Sequence, residues 1–477
     1  MKLNYFLILL VIMMLFFSSG CGSSSSNNFT SVPDNNQDQN DGSENNNQQE
    51  EDNQGDNQQD NNTSGDYLTS ADIDVQQELS NSTDGEHVIE LDGKTQSYSN
   101  LGITKTGDSD GEDADFYGEN SAVFATNSAT LTLTKSLIIT DGAHANAIFS
   151  YGEGTIVNVS ESVIITRDNN SGGIMTTGGG TMNANNLTIE TAGGSSAAIR
   201  SDRGGGTVNV TNGTYTASGR GSPAIYSTAD ITVSSAHLES KTAQGIVIEG
   251  KNSVTLNNCE LAADNNTHNS DNSTRYQAIM IYQSGSGDAS DGKGTFTASN
   301  GSITNVNGDI FFINNTAADI TLNDVNIENN DEDGVFMRAE AAGWGTSGSN
   351  GGKVNLYAND QLINDNIVVD DVSILNFYLK SSSTFIGAIN NENSSGQIYV
   401  ELSDSTWTLT GDSYITSLTC EADSISLNGY TLYVNGTAYT EGTASTGEAI
   451  EISTGSSGNS GGGNTPPDVP NGGPGNK

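Results

Sequence analysis

Residues 197–233 read AAIRSDRGGGTVNVTNGTYTASGRGSPAIYSTADITV. Arg200, Asp202 and Arg203 lie within four positions there, in a chain with 16 basic residues against 59 acidic ones. Glu249, Lys251, Arg338 and Glu340 follow at positions that fall in the same frame of the repeat described next. Carboxylate oxygens can hold a hard divalent cation such as Ca²⁺, and an Arg or Lys beside them can accept a proton from a bound substrate. Arg200, Asp202 and Glu249 are therefore the catalytic candidates. A second acidic run, DSDGEDAD at 108–115, offers Asp108, Asp110 and Glu112 as metal ligands. The residues after it, ADFYG, depart from the spacing of an EF-hand loop. Ca²⁺ is the only cofactor these residues suggest, and no part of the sequence requires one. His87, His144, His237 and His268 each stand apart, and spacing supports no Ser–His or His–carboxylate pair.

The elements that must position these residues form a repeat. A short apolar triplet recurs about every 25 residues, centred on Val123, Ile148, Ile174, Ile199, Ile225, Val247, Ile279, Phe311 and Phe336. A second strand follows each triplet, as Leu131/Leu133, Val157/Val159 and Val208/Val210, and then a turn position occupied by Asn186, Asn212, Ser235, Asn258, Asn300 and Asp324. A third apolar strand follows the turn. Three strands per period of this length read as a solenoid, in which each coil buries its inner face only by stacking on its neighbours. Asn suits the turn because it tolerates the left-handed conformation. The expected fold is all-β, with about eleven or twelve coils stacked at about 4.8 Å into a rod near 50–60 Å long. Arg200 to Arg338 then spans five coils, roughly 24 Å, too far for one catalytic site. A ladder of surface ion pairs explains most of these charges.

If the central residue of each triplet faces inward, the next residue faces outward. That column reads Phe124, Phe149, Met175, Arg200, Tyr226, Ile248, Met280, Phe312 and Met337. An exposed apolar stripe of this kind marks a binding surface. Insertions at 264–276, 283–293 and 340–352, the last carrying Trp344, could wall a groove over it. The expected ligand-binding residues are Arg200, Tyr226, Met280, Phe312, Met337 and Trp344. The alternatives are that the loops fold over the stripe as secondary core, or that the register is slipped.

The repeat over roughly residues 88–450 resembles the single-stranded right-handed parallel β-helix of the pectin-lyase-like superfamily. Phrases such as DFYGENSAV, DRGGGTVNV, GSPAIYST, VIEGKNSVTLNNC and GWGTSGSNGG resemble adhesin-like β-helix surface proteins of anaerobic bacteria. The resemblance implies either a polysaccharide-cleaving enzyme or a surface module. Of the NTD, Asp-pair, GHG and RIK motifs of polygalacturonase-like enzymes, only an Asp pair is present, Asp370-Asp371, and it lies past the region where those enzymes carry theirs.

The ends of the chain set its expected location. The run MKLNYFLILLVIMMLFF is too short for a comfortable span and reads as a signal-peptide core. SSGC, 18–21, resembles a bacterial lipobox, with Ser18 where that family usually has Leu, so Cys21 is the expected lipidation site. Residues 1–20 are then a leader, 21–66 a polar tether, 67–452 the β-helix domain, and 453–477 a Gly- and Pro-rich tail; neither the tether nor the tail can bury a core. Cys259 and Cys420 are expected as buried thiols without a disulfide. The net charge of −43 disfavours nucleic acid and anionic lipid. The expected function is non-catalytic, adhesin-like binding of an extracellular glycan or other cell-surface ligand by a monomer that is lipid-anchored and exposed on a bacterial envelope. A polysaccharide lyase for acidic substrates, or a passive structural rod, are the alternatives.

Overall fold

The computed structural model describes residues 67–452. Cys21, the leader and both polar tails lie outside them. The described chain is a parallel β-helix solenoid. The first strand of each coil belongs to an eleven-stranded sheet, row one, running from Ile89–Asp92 to Ile367–Val369. Every pairing in row one is parallel; Ile199 pairs with Ile174 on one side and with Ile225 on the other. The second and third strands, rows two and three, share one eighteen-stranded sheet. Long strands such as Gly180–Thr191 and Gly206–Ala217 run through the bend between them.

That bend lies at the expected turn position. Asn186, Asn212, Ser235, Asn258, Asn300 and Asp324 all have φ between 52° and 57°. In the early coils Lys135 and Glu161 take the same conformation. One such residue per coil changes the strand direction while the ladder continues on either side of it.

Strict alternation builds the interior. In row two Leu131, Leu133, Val157, Val159, Val208 and Val210 point inward and are buried, while Thr132, Asn158 and Asn209 between them point out. The inward residues of all rows join one continuous core. Cys259 and Cys420 are free and buried in it.

Past residue 370 the coils narrow. The step from Leu356 to Phe377 is 21 residues and that from Val400 to Leu418 is 18, and a separate four-stranded sheet takes over one side. Trp407 fills this end completely, its indole N–H donating to the Gly387 carbonyl at 2.9 Å. The stack closes on an antiparallel pair, Leu432–Val434 with Thr437–Ala438, turned by Asn435 and Gly436, both at positive φ. An Asn-Gly hairpin there reverses the chain, so that no further parallel strand is templated on this end.

The outward column of row one differs from expectation at two coils. Ile225 pairs with Ile246, and Phe311 with Met337, so Ile246, Ile248 and Met337 face the core, while Val247 and Arg338 take the outer column. Met337 is fully buried inside the rod and cannot line an outer groove. The slip arises because Ile246-Val247-Ile248 and Val335-Phe336-Met337 are apolar at every position, so alternation gives no cue to which residue faces in.

Candidate functional site

The outer face of row one is closed over by loops. Phe124, Phe149 and Met175 form one satellite cluster with Tyr151 at its edge. The short helix Glu112–Tyr117 and its following Gly118 pack against it. Val247, Met280, Tyr282 and Phe312 form a second, packed against Tyr226, Ala342 and Trp344. Met280 and Phe312 are each 2% exposed. The expected open stripe is therefore secondary core: the insertions carry apolar residues of their own, and burying both surfaces removes more apolar area from water than walling a groove would. Trp344 and Tyr226 remain half-buried at its margin.

Between the two clusters lies a polar network that unites the catalytic candidates. The Arg200 guanidinium donates twice to Asp202 Oδ2, at 2.9 and 3.2 Å. Glu249, 1% exposed, accepts from Tyr226 at 2.6 Å and Tyr282 at 3.0 Å on one oxygen. On its other oxygen it accepts from both the backbone N–H and the hydroxyl of Ser284. Arg203 joins two covering segments: it pairs with Glu112 of the short helix at 3.2 Å and Asp288 of the 283–293 loop at 2.9 Å, with its guanidinium 3.8 Å from the Phe116 ring centroid. Burial, against the pull of Arg200 and helped by Asp288 and Glu249, pushes the Asp202 carboxyl up to about 6. Burial, then Tyr282 and Glu249, push the Tyr226 phenol well above its ordinary value. Each of these groups is engaged: Arg200 with Asp202, Arg203 with Glu112 and Asp288, and Glu249 with Tyr226, Tyr282 and Ser284. A carboxylate holding four donors is an anchor for the 283–293 loop; its lone pairs are already used.

The remaining charges divide differently. Arg338 binds Asp309 at 2.7 Å, and Glu340 receives Arg275 from the 264–276 loop at 3.0 Å, forming a second loop-tying cluster. Asp108 accepts the Ala143 N–H and lines a depression with Asp110, Asp84 and Glu119, while Glu112 opens the helical turn and goes to Arg203, so the three candidates do not share one site. Among the described residues no group of three His, Cys, Asp or Glu side chains could hold a metal ion. His144, solitary in sequence, is paired with Asp115 at 2.7 Å, and Asn170 lies against its other nitrogen. Spacing could not show this, because the partners come from different coils.

Row two presents the opposite kind of surface. Its outer columns are mainly hydroxyls and amides, Thr130, Thr132 and Thr134; Thr181, Asn183 and Asn185; Thr207, Asn209 and Thr211; Thr295, Thr297 and Ser299, broken in the first column by Ile156, Asp230 and Asp319. In-register partners link across coils, Asn209 to Asn183 at 3.0 Å and Asn183 to Asn158 at 2.9 Å. A shallow depression here is lined by Thr132, Asn158, Ser160, Asn183, Asn185 and Thr211. At the far end the same face holds a piece of the chain itself. The backbone N–H of Gly447 donates to Thr419 Oγ1 at 3.0 Å, and that of Glu448 to Ser417 Oγ at 3.0 Å. Ile450 exchanges two hydrogen bonds of 2.9 Å with the Asn376 amide. This segment therefore crosses successive strands along the rod, held by outer-column side chains. The signal for this face was the alternation in runs such as TLTLT and GTVNVT, whose polar members are its outer residues.

No family model, curated protein or solved structure matches this chain.

Proposed function

We propose that the protein is a surface rod that recognises an extended neutral glycan along the outer face of row two, without cleaving it. The observation that carries this reading is the segment Gly447–Ile450, which shows hydroxyls and amides of that face gripping a chain that runs along the rod. Upstream, the same columns present Thr, Ser and Asn with no other described segment hydrogen-bonded across them in this way. Side chains that both donate and accept match sugar hydroxyls, which do the same. A net charge of −43 favours a neutral polymer over an acidic one. The saturated Glu249 network supports binding over cleavage. The expected lipidated Cys21 and polar tether would present the rod at a bacterial cell surface, in keeping with the resemblance to adhesin-like members of the right-handed pectin-lyase-like group.

An array of neutral, amino and acidic oligosaccharides, probed with the full chain, tests this. Neutral glycans should bind, and an Asn183→Ala/Asn209→Ala variant with an unchanged circular dichroism spectrum should bind at least tenfold more weakly. No bound glycan, or binding unaffected by the double substitution, overturns the reading.

A further inference from the structure

Tyrosines interrupt the hydroxyl and amide columns towards the C-terminal end of row two. Tyr357 pairs in register with Thr321 on one side and Tyr378 on the other. The Tyr357 and Tyr378 rings are 8° from parallel with centroids 4.9 Å apart, and Tyr378 meets Tyr399 at 5.8 Å and 69°. The first separation matches the strand spacing of about 4.8 Å, so those two rings stack along the rod axis. Tyr399 lies in the neighbouring column, in register with Asn376, and meets the Tyr378 ring edge-on. Upstream, Thr321 is too short to cover a phenol, so the second face of the half-buried Tyr357 ring has no aromatic partner among the described residues.

Polar groups surround that free face. Asp319 accepts from Asn355 at 2.9 Å and is paired with Lys293, while Asn359 donates to Asn323 at 2.9 Å. An aromatic face with amides and a carboxylate around it matches a pyranose ring, which has an apolar C–H face and a rim of hydroxyls. We propose that the free face of Tyr357 is a sugar-stacking subsite for a neutral hexopyranose lying above Thr321, with its hydroxyls reaching Asp319, Asn323 and Asn355. This rests on the glycan reading above. The acidic net charge selects against uronic acids.

Calorimetric titration of the full chain with linear tetrasaccharides of glucose, galactose and mannose, with a galacturonate tetrasaccharide as the acidic comparison, tests the subsite. A neutral tetrasaccharide should bind and perturb tyrosine absorbance. Tyr357→Ala should weaken it at least tenfold, and Tyr357→Phe should retain it. Thr321→Tyr, which extends the stack over the free face, should also weaken binding at least tenfold. If Asn183→Ala/Asn209→Ala abolishes binding while Tyr357→Ala and Thr321→Tyr stay within twofold of the parent, the subsite falls and the glycan reading stands. If no neutral tetrasaccharide binds the parent chain, or the galacturonate oligomer binds best, the subsite is overturned.

Discussion

Tyr226 and Glu249 sit on neighbouring coils of row one, joined by a 2.6 Å hydrogen bond from phenol to carboxylate. Tyr282, from the following coil, donates to the same oxygen, and Ser284 ties the 283–293 loop to the other. One carboxylate thus clamps three coils and an insertion. Hydrogen bonds to a charged group are worth about 1.5–3 kcal/mol each, and stranding a buried partner costs about as much again. Tyr226→Phe should therefore lower stability by about 2 kcal/mol and Glu249→Ala by more. Both should speed proteolytic nicking between residues 283 and 293, read by chemical denaturation and limited proteolysis.

Asp202 gives the clamp region a pH signature. Its folded-state carboxyl lies at about 6, above an unfolded value near 4, so the folded protein binds the extra proton in that window. Its contribution to stability is greatest below pH 4, falls as pH rises from 4 to 6, and is flat above. The difference between the two states corresponds to about 2–3 kcal/mol. Asp202→Asn should remove this slope, so that the stability difference between variant and parent changes across pH 4–6 and is constant from 7 to 8.

Phe312 separates secondary core from binding surface. It is 2% exposed beneath the cover that carries Trp344. Phe312→Ala should cost about 3–5 kcal/mol by opening a cavity and leave glycan affinity within twofold of the parent. A tenfold loss of affinity in a folded Phe312→Ala protein would return the binding site to row one.

At the bend, Asn212 holds φ 57°. Asn212→Gly should be nearly neutral, whereas Asn212→Val should cost about 1–2 kcal/mol, since a β-branched residue resists the left-handed conformation. Thermal midpoints of the two variants, compared with the parent, check this.

The two tryptophans report on different environments. Trp407 is fully buried and Trp344 half-exposed in a loop. Trp344→Phe should leave a blue-shifted emission that acrylamide barely quenches, while Trp407→Phe should leave a red-shifted, readily quenched one.

The period near 25, the turn residues and the apolar alternation of row two were legible in the amino-acid sequence. Each is a local rule: an Asn at positive φ or a Leu at every second position needs no knowledge of its neighbours to be read. The solenoid and its core follow from such rules, as Ile199 over Ile225 shows. Register in uniformly apolar triplets was not legible, and Met337 was misplaced for that reason. Tertiary structure alone decided which face was covered. The meetings of Arg203 with Glu112 and Asp288, of His144 with Asp115, and of Glu249 with Ser284 join residues 29 to 91 positions apart through loops whose paths obey no repeat. The repeat sets where each coil's strands lie. The insertions, free of that periodicity, settle where burial and hydrogen bonding together leave the fewest unsatisfied groups, and that is a property of the assembled rod.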